Sequence, residues 1–157
     1  MKSLLIKLVL LLSLIFLINN FLKYNHINEI PFDELNKYII SNCNIEGMSK
    51  ADDLKIKELY NINIDEYEGC TVYIANDTMD VREIFLLKTN TNEQMENVKN
   101  SVIKRKEKQY SIFEGYGIEQ IKLINDSFLY NEGKYILFII SPDSQYIGNI
   151  FYKKIKN

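Results

Sequence analysis

Histidine, arginine, cysteine and proline are all scarce in this chain of 157 residues, which has one His, two Cys, two Pro and only Arg82 and Arg105 as arginines. So few cysteines and histidines exclude a Cys/His zinc framework and a dense disulfide scaffold. The single histidine, His26, lies in a polar stretch just past an apolar N-terminus. That is a poor position for the rigid general base of a Ser-His-Asp triad. No glycine-rich phosphate loop is present. The net charge of −2 leaves no cation surplus to neutralise phosphates, which argues against a nucleic-acid partner. A content of 46% apolar and 25% charged residues excludes a disordered chain. The length suits one domain, without an internal repeat or low-complexity tract.

What the chain has in abundance is an apolar N-terminus. Leu8–Ile18 reads LVLLLSLIFLI, interrupted only by Ser13. As a helix, Leu4–Leu22 would be about 28 Å long, close to a hydrocarbon core of about 30 Å. Lys7 can snorkel at one end, and Asn19 and Asn20 sit near the other. The following Asn19–Tyr24 offers no small-residue cleavage site, and the nearest cysteine, Cys43, is too distant to carry a lipid. A run this apolar has no polar face for a soluble amphipathic helix. Residues 1–24 are therefore expected to be an uncleaved signal anchor, with cleavage at an atypical site or a soluble helix as the lesser readings. Lys2 and Lys7 precede the run, whereas only Lys23 follows it before Lys37. That bias places the N-terminus inside and the bulk of the chain outside, as a single-pass protein of the cell membrane.

Residues 25–30 read as a linker and residues 31–157 as an extracytoplasmic α+β domain. Pro31 opens a helical pattern with Phe32, Leu35 and Ile39 on one side. Asn42–Ser49 is a break. Ala51–Tyr60 is a second helix, with Leu54 and Leu59 on its apolar side. Cys70–Ala75 and Val81–Lys88 read as strands paired across Asn76–Asp80. The longest helix, Asn92–Phe113, carries Met95, Val98, Val102, Gln109 and Phe113 near one stripe. Ile118–Leu123 is a short helical or irregular piece. Ser127–Tyr130 and Tyr135–Ser141 form a hairpin turned by Gly133, and Ile147, Ile150, Phe151 and Ile155 mark a last helix. The order α-α-β-β-α-β-β-α predicts a four-stranded, mostly antiparallel sheet with helices packed on one face.

Three stretches carry a resemblance. They are Glu83-Ile84-Phe85-Leu86-Leu87-Lys88, then Arg105-x3-Gln109-x3-Phe113-x2-Tyr116, then Gly133-x-Tyr135-Ile136-x-Phe138-Ile139-Ile140-Ser141-x-Asp143. In this order and spacing, from about Ser49 onward, the chain resembles the domain of unknown function 4358, a small exported and mostly lipoprotein-type domain of low-GC bacteria. The surplus of Ile, Asn and Lys, which have AT-rich codons, fits such a source. The resemblance implies an extracytoplasmic, membrane-tethered domain with no established enzymatic activity and no catalytic residues to transfer. This chain lacks the lipid-bearing cysteine, which leaves the apolar helix as the anchor.

Arg105, Gln109 and Phe113 share a helix face, with Tyr116 just beyond. Arg105, Gln109 and Tyr116 form a candidate patch for a ligand carboxylate or partner loop. Alternatively, Arg105 pairs with an acid and Gln109 satisfies loop backbone. The run Lys104–Lys108 can touch anionic polymer or form a solvated helix end. Cys43 and Cys70 can form one disulfide, worth about 3–4 kcal/mol on the loop-entropy model, or remain free thiols. Tyr135 and Phe138 read as core. Asp52–Asp53 and Asp65–Glu66 lie in solvated stretches and show no sign of a raised-pKa acid beside an ionised base. No metal site or cofactor is expected. The resulting expectation is a non-enzymatic binding or accessory module that contacts an unknown envelope protein or polymer. The alternatives are a carboxylate-dependent hydrolase of envelope polymer and a small-ligand sensor.

Overall fold

The computed structural model describes residues 2–24 and 29–156, with side chains described for 6–18 and 29–156. Helix α1 covers Lys2–Tyr24, and its side chains from Ile6 to Ile18 are exposed. Among the described residues no helix is long and apolar enough to cross a membrane. The side chains of residues 4–5 and 19–22 of the expected anchor, and residues 25–28 of the linker with His26, lie outside the described residues.

After residue 29 the order is α2 (Phe32–Ile40), β1 (Met48–Lys50), α3 (Asp53–Tyr60), a 3₁₀ turn (Ile64–Glu66), β2 (Gly69–Ala75) and β3 (Glu83–Lys88). Then come α4 (Glu93–Phe113), α5 (Ile118–Asn125), β4 (Phe128–Glu132), β5 (Tyr135–Ile140) and α6 (Ser144–Lys156). Local chemistry sets most of these boundaries. Asp52 caps α3 by accepting from the Lys55 amide at 2.8 Å, and Asn61 closes it in the left-handed region at φ 54°. Gln94 reaches back from the first turn of α4 to accept from the Asn90 and Thr91 amides. Gly133, at φ 54°, makes the β4–β5 turn.

Among the described residues the sheet has five antiparallel strands in the order β1-β2-β3-β5-β4. The α+β class holds, and both expected hairpins form. Two corrections follow. The strand absent from the sequence reading, β1, is a three-residue edge element without a β-branched run. It exists through pairing to β2 and through bonds such as Asn76 N–H to the Gly47 carbonyl, 2.9 Å.

The second correction concerns layers. The expected single helical face is wrong: helices cover both faces. One core joins α3, α4 and α5 to Val72, Phe85, Leu87, Ile136 and Phe138. The other joins α2 and α6 to Ile84, Leu86, Leu137 and Ile139. Every position of β3 and β5 is buried, which is the mark of a sheet covered on both sides. Leu54 is also reassigned. It is 80% exposed, and Ile56 and Tyr60 form the buried side of α3. The α4 stripe of Met95, Val98, Val102, Gln109 and Phe113 is buried as expected, as are Tyr135 and Phe138.

The α2/α6 face holds a buried cation. Lys88 Nζ reaches Glu68 Oε1 at 2.6 Å and the Ile30 carbonyl at 3.0 Å, over the Tyr135 ring. Tyr135 Oη accepts from the Ile30 amide at 2.7 Å and donates to its carbonyl at 2.9 Å. These bonds fix the backbone just ahead of α2 to the ends of β3 and β5.

Helix α6 meets the sheet at Gly148, where a Cβ would lie 2.5 Å from ring atoms of Phe128. Helix propensity alone would make Gly148→Ala stabilising by about 0.5–1 kcal/mol. Overpacking against the ring costs about 1–3 kcal/mol. We expect Gly148→Ala to lower stability in urea unfolding, and Phe128→Ala in the same chain to convert the alanine into a gain. A stabilising single substitution would show that the helix and ring are not in close contact.

Candidate functional site

Glu83 begins β3 on the face covered by α3 and α4, opposite Ile74 of β2 and Ile140 of β5. It is 1% exposed. An ionised carboxylate in such a place must be compensated by hydrogen bonds and opposite charge. Four donors meet it. Arg105 Nε lies 3.1 Å from both carboxylate oxygens, and Arg105 Nη2 lies 2.7 Å from Oε2. Gln109 Nε2 donates to Oε2 at 2.7 Å. The Tyr60 hydroxyl donates to Oε1.

The i, i+4 spacing on α4 brings Arg105 and Gln109 to one acid, and the register of β3 brings that acid to them. Tyr60 completes the shell from the end of α3 and packs its ring on Phe85 at 4.4 Å between centroids. Burial, then the neighbouring Glu83 charge, push the Tyr60 phenol well above its ordinary range. Burial opposes the charge on Arg105, but hydrogen bonding and attraction to Glu83 outweigh it, so the guanidinium pKa is raised. Gln109 Oε1 is buried and has no hydrogen-bond partner among the described residues.

Of the three residues in the candidate patch, Arg105 and Gln109 meet at Glu83. Tyr116 stands apart, 60% exposed, with its ring 5.8 Å from that of Phe113. Gln109 serves the carboxylate rather than loop backbone. The other cations of the Lys104–Lys108 run, Lys104 and Lys108, are exposed, while Lys106 is half-buried and its pKa is lowered by burial. Glu83 and Tyr60 were missed as site residues. A legible signal existed for Glu83, because an acid heads the otherwise apolar β3 and needs a cation on the facing helix. Tyr60 carries no signal beyond an aromatic at a helix end.

Cys43 and Cys70 are free thiols. Cys43 packs with the α2/α6 core and Cys70 with the α3/α4/α5 core, on opposite faces of the sheet. The sheet between them is why the disulfide left open by the sequence is not made here. Burial raises both thiols to about 12, which removes nucleophilic character at neutral pH.

A cleft of about 360 Å³ opens at the end of the sheet near the β2–β3 hairpin and the β5–α6 corner. Its floor includes Met48, Ile84, Ile139 and Ile147, and its polar lining includes Asp80, Arg82, Ser141 and Asp143. Arg82 holds Asp80 through Nε at 2.8 Å, Nη2 at 2.7 Å and its own amide at 2.9 Å. Burial works against the Asp80 charge, but these bonds outweigh it and lower its pKa. Among the described residues no group of three His, Cys, Asp or Glu side chains could hold a metal ion.

A protein-family model described as "Domain of unknown function (DUF4358)" matches residues 41–141. The match begins ahead of Ser49, takes in β1 through β5, and leaves α6 outside. No curated protein and no solved structure matches the chain.

Two outcomes follow from this chemistry. Arg105→Ala strands a buried carboxylate and should cost about 3–5 kcal/mol in urea unfolding, while Glu83→Leu with Arg105→Met should recover most of it. Equal losses in both variants would mean that the packing, and not the charge, carries the effect. The second concerns pH. Cys43 and Cys70 rise from 9.0 to about 12, and Tyr60 rises above 10.0, so the folded state keeps protons that the unfolded state releases. Stability should therefore fall as pH climbs above about 9, and fall less in a chain with both cysteines changed to alanine. Urea midpoints across that range check it, and identical slopes in the two chains would refute the burial of the thiols.

Proposed function

The chain belongs to the DUF4358 family, and from that premise we propose that it is a membrane-tethered extracytoplasmic domain of the bacterial cell envelope. It acts there as a binding or accessory module rather than an enzyme. The segment Leu4–Leu22 is the anchor, with the N-terminus in the cytoplasm and residues 31–157 outside.

The observation that carries the anchoring is the exposure of every side chain from Ile6 to Ile18 along α1, all of them apolar except Lys7 and Ser13. Such a surface is stable only when lipid or another apolar body covers it. The observation that weighs against catalysis is how the strong polar groups are used. Arg105 and Gln109 are spent on Glu83. Both thiols are held neutral. A carboxylate-dependent hydrolase needs one carboxyl kept protonated beside an ionised one. The cleft does hold two acids, but Arg82 holds both oxygens of the Asp80 carboxylate, which leaves it no free base or nucleophile. The small-ligand reading remains a second option because that cleft is concave and mostly apolar at its floor.

The test is localisation of the full chain in its host. It should stay with membranes through alkaline carbonate extraction, and external protease should degrade residues 31–157 in intact protoplasts. Leu11→Lys with Leu14→Lys should release it from the membrane fraction. Recovery of the unaltered chain in the soluble fraction, or complete protection from protease, would overturn the reading.

A further inference from the structure

We propose that the cleft at the end of the sheet is a binding site for a primary ammonium carried on a short apolar stem. This is the head shared by a free alkylamine and a lysine side chain. The inference does not depend on where the chain is anchored.

The cleft volume of about 360 Å³ is in the range of small-ligand sites, and its walls supply an apolar floor with a few converging polar groups. The floor includes Met48, Ile84, Ile139 and Ile147, and three of these four belong to the α2/α6 core cluster itself. They are fixed by the sheet and by α6. The ligand class follows from the charges that remain once internal pairs are removed. Asp80 and Arg82 neutralise each other, and the field of Glu46 also acts on Arg82. Arg82 therefore offers little free charge to an anion. Asp143 lines the same cleft and has no ion-pair partner among the described residues. Asp143 is itself exposed at this cleft, and its charge acts on the Cys43 thiol that lines the same wall.

The available polar partners are thus the Asp143 carboxylate, the Ser141 hydroxyl and the Asn44 side-chain amide, whose Oδ1 already accepts from the Glu46 amide, above an apolar floor. A divalent hard cation needs six or more oxygen ligands, and this set is too small for it. An ammonium needs three acceptors and is matched by a carboxylate, a hydroxyl and a water. Its stem would take the apolar floor.

The experiment titrates n-butylammonium into the full chain in phosphatidylcholine nanodiscs by calorimetry, with empty discs subtracted. Saturable one-site binding is expected, at about millimolar affinity for so small a probe. The uncharged isostere n-butanol should bind at least about tenfold more weakly, because it lacks the charge-assisted bond. Asp143→Ser keeps an oxygen able to cap α6 but removes the charge, so it should weaken butylammonium about tenfold without unfolding the chain. Should that variant fail to fold, Asn44→Trp at the cleft wall replaces it, and loss of binding is again expected. Nα-acetyl-lysine methylamide separates the two sources. Tighter binding than butylammonium points to a polypeptide lysine, and equal or weaker binding points to a free amine. Absence of saturable binding by either amine overturns the proposal. So does butanol binding as well as the amine, or binding that survives the folded substitution unchanged.

Discussion

The carboxylate of Glu83 is the constraint around which one half of the domain is arranged. It stands at the head of the central strand and is almost wholly removed from water. Desolvating a single carboxylate costs more than the burial of several methylenes returns, so its partners must arrive together with good geometry. Arg105 brings a planar fork that a lysine could not supply, which gives one of the chain's two arginines its physical reason. Gln109 follows one turn later, and Tyr60 comes from a different helix. A shift of α4 by one residue along β3 would empty the fork and bury an uncompensated charge. The cluster therefore sets helix register and layer alignment as well as adding stability, much as polar residues specify register elsewhere.

The same strand repeats the device on its other face. Its six residues begin with Glu83 and end with Lys88, and alternation along the strand directs these two to opposite layers. Lys88 is satisfied by Glu68, by the Ile30 carbonyl and by the ring of Tyr135. The buried cation thus grips the chain where it comes out of the N-terminal segment, while the buried anion grips α3 and α4. Between the two charges run Ile84, Phe85, Leu86 and Leu87, all buried. A strand with apolar residues at its centre and one charge at each end can dock in only one direction and only one way up.

Much of this was legible. The α4 stripe, both hairpins and the α2 face follow from periods of 3.6 and 2 that packing reinforced. Arg105 and Gln109 were marked by their i, i+4 spacing. The remainder depends on partners distant in sequence. Strand β1 has too little intrinsic preference to be seen without β2 beside it. The second helical layer was implied by the wholly apolar Tyr135–Ile140, since a strand buried at every position has no face left for water. The expectation of helices on one face left that signal unused. Leu54 misled because a short helix offers few turns on which to fix a face. The acid that Arg105 meets lies 22 positions away, and only the folding of β3 against α4 brings it there.

How the charges are shared bears on function. Catalysis by side chains requires a group held out of balance: a carboxyl kept protonated, a thiolate exposed, or a base with a proton to take. Here the buried groups stand in balanced sets. Glu83 is matched by Arg105, Lys88 by Glu68 and Asp80 by Arg82, and the thiols are protonated. Such balance gives a rigid scaffold in which these groups hold little stored reactivity, and it supports the binding role proposed above. It also sharpens the meaning of an exception. At a concave position of this scaffold, the exposed Asp143 lines a cleft with an apolar floor and has no ion-pair partner among the described residues. A carboxylate without an ion pair is where recognition of a cation costs the fold least, because no internal pair must break to make room for it.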